Sequence, residues 1–299
     1  MSLPAFLPNE RPVWERDGRD WPNREASRFV NAAGLRWHVQ RMGAGPVALL
    51  VHGTGAATHS WRGLMPILAE RFDTLAPDLP GHGFTEHPGA ARLSLPGMAR
   101  DLDRLLETLG VAPDLVIGHS AGAAILARMA LDGAIAPRLI VAINGAFRPF
   151  GGAAASLFSP MAKLLTLNPL APRVFAWRAS DRAAVERLIR NTGSVPDPVG
   201  TTCYGRLVRR PAHVSAALGM MANWELRDLE RDLTRLPVPL LLIAGGNDRA
   251  IPPGDAGTIR ARVKGATLVD LPGLGHLAHE EDPRAVADAI LAAYDRRAA

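Results

Sequence analysis

The stretch VIGHSAGAA, Val116–Ala124, sets a serine between glycines where an apolar run gives way to an alanine-rich one. Gly118 and Gly122 lie two residues to either side of Ser120. This is the spacing of a sharp strand-to-helix turn that strains its central residue, and glycine at the flanks removes side chains that would collide. Such a turn exposes the hydroxyl at a strand end and aims the Ala121 N–H, at the start of the helix, toward developing negative charge. A serine hydroxyl is a weak nucleophile at neutral pH; it needs a base, and the base needs an orienting acid. His276 in PGLGHLAHEEDP and Asp248 in AGGNDRAIPP each follow an apolar run and supply those two groups in the order Ser, Asp, His. HGTG, His52–Gly55, ends an earlier apolar run and allows close backbone approach, so the Thr54 N–H is the expected second oxyanion donor beside Ala121.

These groups need a frame that gathers them. Short apolar runs at 46–53, 72–81, 114–120, 138–145, 239–248 and 266–276 end in Gly, Asp, Ser or His. Runs without alternation must be covered on both faces, as in a parallel sheet between helices. Between them, SLPGMARDLDRLLETLG puts Met98, Leu102, Leu105, Leu106 and Leu109 on one helical face, with Ser94 to cap its start and Gly110 to end it. Ala121–Leu131 is small enough to pack close to a sheet, and Asp132-Gly133 stops it. Strand and helix alternate from Val47 to Ile143 and again from Leu240 to Ala293, which predicts a doubly wound α/β fold. In such a sheet the strand ends converge at one edge, where Ser120, Asp248 and His276 can meet.

The alternation breaks between Arg148 and Asp232. The pieces SPMAKLLTL, DRAAVERLIRNTG and PAHVSAALGMMANW read as successive helices with no strand between them, an inserted helical cap. Its apolar residues include Phe150, Phe158 and Phe175; Phe147, Trp177, Met220, Met221 and Trp224 are the candidates for lining a substrate pocket, against the alternative that residues of these types are core. The first 27 residues, rich in Pro, Arg, Trp and Asp, read as an extended arm pinned by Trp14 and Trp21, and the runs flanking Gly34 as a hairpin. The expected division is an arm at 1–27, a core at 28–147 and 233–299, and a cap at 148–232.

Composition narrows the function classes. The 299 residues, 47% hydrophobic, are enough for one large core with an insert. The net charge of +5 resides in 148–232, with 12 Lys+Arg against 7 Asp+Glu; the remainder balances. Its densest part, GRLVRR, carries Arg206, Arg209 and Arg210 and reads as a solvated helical face or as an attractor for an acidic substrate, an acidic partner or an anionic membrane surface. No nucleic-acid module is recognisable, so nucleic acid is not an expected partner. The lone Cys203 cannot form an internal disulfide, no apolar run approaches the roughly 18 residues of a transmembrane segment, and the first residues lack a secretory pattern. A cytoplasmic protein is expected.

His276, His279, Glu280 and Glu281 lack a matching Cys or His group, so no metal site is expected. GAGPVAL and AGGND offer neither a phosphate-loop lysine nor a dinucleotide fingerprint, so no cofactor is indicated. His279 reads as a packing or helix-start residue, His119 as scaffolding of the serine turn, and Asp78 and His82 in PDLPGHGFT as structural.

HGTG, PDLPGHGFT, GHSAG, GGNDRAIP and GLGHLAHEEDP, in that order, resemble the α/β-hydrolase superfamily over about residues 28 to 295. The resemblance implies an α/β-hydrolase fold, a cap after the sixth strand and a Ser120–Asp248–His276 triad. Some members carry the acid after the sixth strand; here that position reads AINGA, with Asn144 and no carboxylate. A serine nucleophile also departs from the dehalogenase and epoxide-hydrolase mechanisms, which use a carboxylate. WERDGRDWPNREASRFV, HGTGAATHSWR, VFAWRAS and YGRLVRRPAHVSAALGMMANW are further similar to the magnesium-chelatase accessory family of bacteriochlorophyll biosynthesis in phototrophic bacteria. That likeness runs nearly end to end and implies a role near Mg²⁺ insertion into protoporphyrin IX, with a tetrapyrrole as substrate and magnesium chelatase as a contact. Two readings follow: a serine hydrolase acting on an ester or related acyl bond, or a non-catalytic porphyrin-binding or chaperone-like accessory. Acyl transfer, C–C bond cleavage and perhydrolysis use similar constellations.

Overall fold

A computed structural model describes residues 10–149, 170–178, 181–195 and 197–297. Among the described residues the strands form one eight-stranded sheet in the order β1-β2-β4-β3-β5-β6-β7-β8. The arm holds a single turn of helix, α1 (Trp14–Asp17), before the hairpin of β1 (Ser27–Ala32) and β2 (Leu35–Met42). The two-residue loop Ala33-Gly34 has φ of 53° and 70°, the double positive φ whose twist suits a tight hairpin. Then follow β3 (Val47–Val51), α2 (Leu64–Leu68), β4 (Asp73–Pro77), α3 (Leu95–Leu109), β5 (Leu115–His119), α4 (Ala121–Leu131) and β6 (Leu139–Ile143). After the insert come β7 (Leu240–Gly245) and β8 (Thr267–Leu271). β1, β2 and β4 pair antiparallel; the pairs from β4 through β3, β5, β6 and β7 to β8 are parallel.

Alternation along the strands assigns side chains to two layers. Leu49, Val51, Val116, Ile140 and Leu242 enter a core shared with α3 and α4. Their neighbours Leu50, Ile117, Val141 and Ile243 enter a second core with α2 and the C-terminal helix. In α3 the predicted face is buried at Met98, Leu102, Leu105 and Leu106; the Ser94 hydroxyl accepts from the Gly97 N–H, and Gly110 ends the helix at φ 63°.

The inserted helical region enters between β6 and β7. Its described helices are α5 (Ala171–Arg178), α6 (Arg182–Asn191), α7 (Pro198–Val208), α8 (Pro211–Ala222) and α9 (Arg227–Asp232). The remaining helices are α10 (Pro253–Arg262) after β7, and α11 (Ala278–Glu281) and α12 (Pro283–Asp295) after β8. The expected helix SPMAKLLTL lies outside the described residues, as do Phe150, Phe158 and the side chain of Phe175. α7 carries the start of GRLVRR, read above as a helical face, and begins well before it; Asp197 caps its start by accepting from the Val199 and Gly200 N–H groups, with Pro198 in the first turn.

The arm is held at both ends of its tryptophan pair. Trp21 is buried with Phe84, Cys203 and Leu207, and its Nε1 donates to the Thr58 hydroxyl at 3.0 Å. Trp14 packs edge-on against Phe29 and Phe84. Arg210 pairs with Asp17 at 2.8 Å and Arg206 with Asp20 at 2.5 Å. Two arginines of the densest basic run are therefore matched by carboxylates of the arm rather than presented to a ligand.

Candidate active site

Strand register brings the chemistry together. Val51 pairs with Gly118, His119 with Ile143, Ile143 with Ile243 and Gly245 with Leu271, so β3, β5, β6, β7 and β8 end along one edge. The residues just past those ends are Gly53 and Thr54, Ser120, Asn144, Asp248 and His276.

Ser120 is partly exposed and sits at φ 51°, ψ −118°, immediately before α4. A left-handed φ at a residue other than glycine is strained, by about 1–3 kcal/mol, and persists where its surroundings enforce it. Here they do. The Ser120 N–H donates to the Ile143 carbonyl at 3.0 Å, and its carbonyl accepts from the Ala146 N–H at 3.1 Å. A side chain on Gly122 would strike the carbonyl oxygens of Val51 and His52, and one on Gly118 the backbone of Ala123. A Cβ on Gly53 would stand 3.0 Å from the Ser120 Cβ, so this glycine lets the loop after β3 lie directly against the serine, with Thr54 next along it.

His276 and Asp248, the expected base and acid, are joined. His276 Nδ1 and Asp248 Oδ2 are 2.8 Å apart, with both side chains largely buried. The other oxygen, Oδ1, accepts from the Ala250 N–H at 2.7 Å and the Ile251 N–H at 2.8 Å. Three donors thus fix the carboxylate, and the carboxylate engages the imidazole through Nδ1, leaving Nε2 as the ring nitrogen it does not hold.

Asn144, noted in the sequence only for lacking a carboxylate, ties the two loops together. Its Nδ2 donates to the carbonyls of Gly275 (3.0 Å) and His276 (2.8 Å), while its Oδ1 accepts from the Gly245 N–H (2.7 Å). It holds φ 47°, a left-handed conformation that asparagine tolerates. His119 Nε2 donates to the same His276 carbonyl at 2.9 Å, linking the residue before Ser120 to the expected base. Burial, reinforced by His279 and His276 nearby, holds the His119 pKa well below its ordinary value, so it acts as a neutral strut.

The HGTG loop is pinned by two further histidines. The Leu79 N–H donates to His52 Nε2 at 2.9 Å, so His52 Nδ1 carries the proton and donates to the Gly53 carbonyl at 2.8 Å. The Gly83 N–H donates to His213 Nδ1 at 3.2 Å, and His213 Nε2 donates to the Gly55 carbonyl at 3.1 Å. Burial lowers His52 and brings His213 down to about 4, leaving both rings neutral. The carbonyls on either side of Thr54 are thereby engaged from below and from α8. The Thr54 hydroxyl meets Met220 Sδ at 3.4 Å.

The insert also reaches the acid and base loops. The Ser194 hydroxyl accepts from the Leu277 N–H at 2.8 Å, and the Thr192 carbonyl accepts from the Arg249 N–H at 3.0 Å. Gly193, at φ 86°, lies against Asn247, and Gly275 lies against Gly193 and Ser194 so closely that neither could bear a side chain. Neither contact has a local sequence signature.

The pocket candidates divide. Phe147 is buried and lines a small apolar cavity with Asn144, Ile251 and Ile259 behind the acid loop. Met220 is buried beside Thr54, and Trp224 packs partly against the same core. Trp177, 73% exposed, and Met221, 38% exposed, face solvent. Asp78 accepts from His38 Nδ1 and from the Thr58 and Phe84 N–H groups. Burial alone would raise its pKa, but the His38 imidazole and those N–H donors outweigh it and hold the carboxyl below the usual range. His82 and His279 are fully buried; the ring of His279 meets the Ser60 hydroxyl at 2.8 Å, which in turn donates to Glu280. Burial pushes the Cys203 thiol up to about 12, which removes it as a rival nucleophile. Among the described residues no group of His, Cys, Asp and Glu is placed to hold a metal ion, and no helix is long and apolar enough to cross a membrane.

A mostly parallel sheet flanked by helices, a helical insert after β6 and a strained serine on the β5–α4 turn define an α/β-hydrolase fold. The chain belongs to the alpha/beta hydrolase family, whose profile matches residues 48–289. Over 264 residues it is 42% identical to the magnesium-chelatase 30 kDa subunit of Rhodobacter capsulatus, covering 87% of this chain and 92% of that one. It is 32% identical over 256 residues to pyrrolizixenacetamide deacetylase of Xenorhabdus hominickii, covering 81% and 88%. An alpha/beta hydrolase fold protein from Burkholderia ambifaria superposes with a TM-score of 0.77 over 89% of this chain and 97% of its own, at 24% identity, a likeness of fold alone.

Proposed function

We propose that the protein is a serine hydrolase acting on an ester or related acyl bond. The observation that carries this reading is the enforced φ of 51° at Ser120, on the same sheet edge as a 2.8 Å His276–Asp248 pair. In the proposed reaction Ser120 Oγ attacks the acyl carbonyl as His276 Nε2 takes its proton. Asp248 holds the imidazole by Nδ1 and stabilises the imidazolium. The Thr54 and Ala121 N–H groups receive the developing oxyanion; losing one such donor typically costs about 2.7–4 kcal/mol of transition-state stabilisation. His276 returns the proton to the leaving group, and water, activated by the same imidazole, releases the acid and restores Ser120.

The insert, taken as residues 148–232, acts as a cap whose Met220 stands beside the oxyanion loop. The deacetylase named among the relatives supports acyl-bond chemistry, and the Rhodobacter capsulatus relative, named as a magnesium-chelatase subunit, supports a place beside magnesium chelatase; the substrate we propose there is a tetrapyrrole. A fluorophosphonate probe is expected to label wild-type protein at Ser120 and to spare the Ser120→Ala variant. Absence of labelling in folded wild-type protein would remove the mechanism.

The name of the same relative favours a second reading, a non-catalytic porphyrin-binding accessory to the chelatase. The two diverge in a pathway mutant. Complementation by Ser120→Ala supports the accessory; failure of a folded Ser120→Ala protein supports catalysis.

A further inference from the structure

Among the described residues, the large apolar side chains left exposed all belong to the inserted region. On α5 and the residue before it, Leu170, Val174 and Trp177 recur at spacings of four and three, which places them along one helical stripe, and all three are more than half exposed. On α6 the buried face is Val185 and Ile189, and Leu188 stands outward between Arg187 and Arg190. Val195 and Val199, just before and within the first turn of α7, are exposed as well. A contiguous exposed apolar stripe such as that of α5 is the kind of surface that marks an interaction site on a soluble protein.

The charge of that segment is as uneven as its hydropathy. The protein's whole excess of +5 lies in 148–232. Arg206 and Arg210 are matched by the arm, Arg173 by Glu10 and Arg182 by Glu186. Arg187 and Arg190, exposed beside Leu188, have no ion-pair partner among the described residues.

We propose that the insert, through the exposed apolar and basic side chains of α5, α6 and the segment leading into α7, docks on an anionic phospholipid bilayer. Apolar side chains interspersed with unmatched guanidinium groups are what an anionic lipid surface satisfies: acyl chains take the former, headgroup phosphates the latter. Trp177 is the residue type most at home at that boundary. A second copy of the chain fits the same face poorly, because it would set Arg187 and Arg190 against like charges. The exposed groups are spread over several elements, and a fluid surface demands no fixed register among them. The proposal is independent of the chemistry at Ser120, so Ser120→Ala protein is expected to dock as wild type does.

Co-sedimentation with vesicles tests it. Wild-type protein is expected to bind phosphatidylglycerol-containing vesicles, to bind pure phosphatidylcholine vesicles far less, and to be released by salt. Each arginine near an anionic surface contributes about a fivefold gain in partitioning, so Arg187→Gln with Arg190→Gln should weaken binding by about 25-fold. Trp177→Ser is expected to weaken it on both lipids. Unchanged melting of these exposed-site variants keeps the comparison fair. The proposal is overturned if wild-type protein ignores the anionic vesicles, if both variants bind as wild type does, or if light scattering shows a dimer that these substitutions dissolve.

Discussion

Replacing Asn144 by alanine would remove the side chain that joins the ends of β6, β7 and β8. The Gly245 N–H and the Gly275 carbonyl lose their partner, whereas the His276 carbonyl keeps its donor in His119. A buried donor left unpaired costs about 1–3 kcal/mol, and a carbonyl somewhat less. Alanine also adopts φ 47° less readily than asparagine, which adds about 1 kcal/mol. The expected loss is about 3–5 kcal/mol, a large share of the roughly 5–15 kcal/mol that holds a domain folded. At about 2 °C per kcal/mol for a chain of this size, the melting temperature falls by roughly 6–10 °C.

Asn144→Asp sharpens the test because it keeps the size and the acceptor. The introduced carboxyl would face two carbonyl oxygens in a buried site, so its folded-state pKa would lie above the unfolded value of about 3.9. Between those two values the folded state binds the extra proton, and stability relative to wild type falls as pH rises, by up to about 1.4 kcal/mol per pH unit. Urea denaturation of both variants across that range measures the two effects. A loss below about 1 kcal/mol for Asn144→Ala, or a pH-independent difference for Asn144→Asp, would refute the reasoning.

Gly122→Ala drives a methyl group into the Val51 and His52 carbonyls, backbone of the central strand; thermal unfolding should show a loss of about 3 kcal/mol, with fluorophosphonate labelling of Ser120 lost in parallel. His213, held at about 4 by burial, stays neutral in the fold while the unfolded chain protonates near 6.5, so its contribution is present above about 6.5 and is lost as pH falls toward 4. His213→Gln should flatten the pH dependence of stability in that window by about 1.4 kcal/mol per pH unit, measured by denaturation at successive pH values.

What the sequence made legible was local. Apolar runs ending in Gly, Asp, Ser or His mark each core strand, because a strand buried on both faces has little choice of residue. Gly118 and Gly122 announce their turn for a steric reason that acts within five residues. The contacts that sequence reading missed join positions far apart. Nothing near Ser194 points to Leu277, and nothing near His213 points to Gly55 or Gly83. Asn144 did leave a trace: an Asn-Gly pair directly after a strand signals a left-handed turn, although the absent carboxylate drew attention instead. Charge counting could not find the partners of Arg206 and Arg210 for the same reason, since these are Asp20 and Asp17 in the arm. α7 was foreshadowed by Asp197-Pro198, a cap followed by a first-turn proline.

The Gly193–Ser194 strap and the His213 clamp fasten the insert to the sheet edge. Exchanging this insert for that of a relative would therefore unfasten the loops bearing Thr54, Asp248 and His276. Grafts have to carry these fastenings with them.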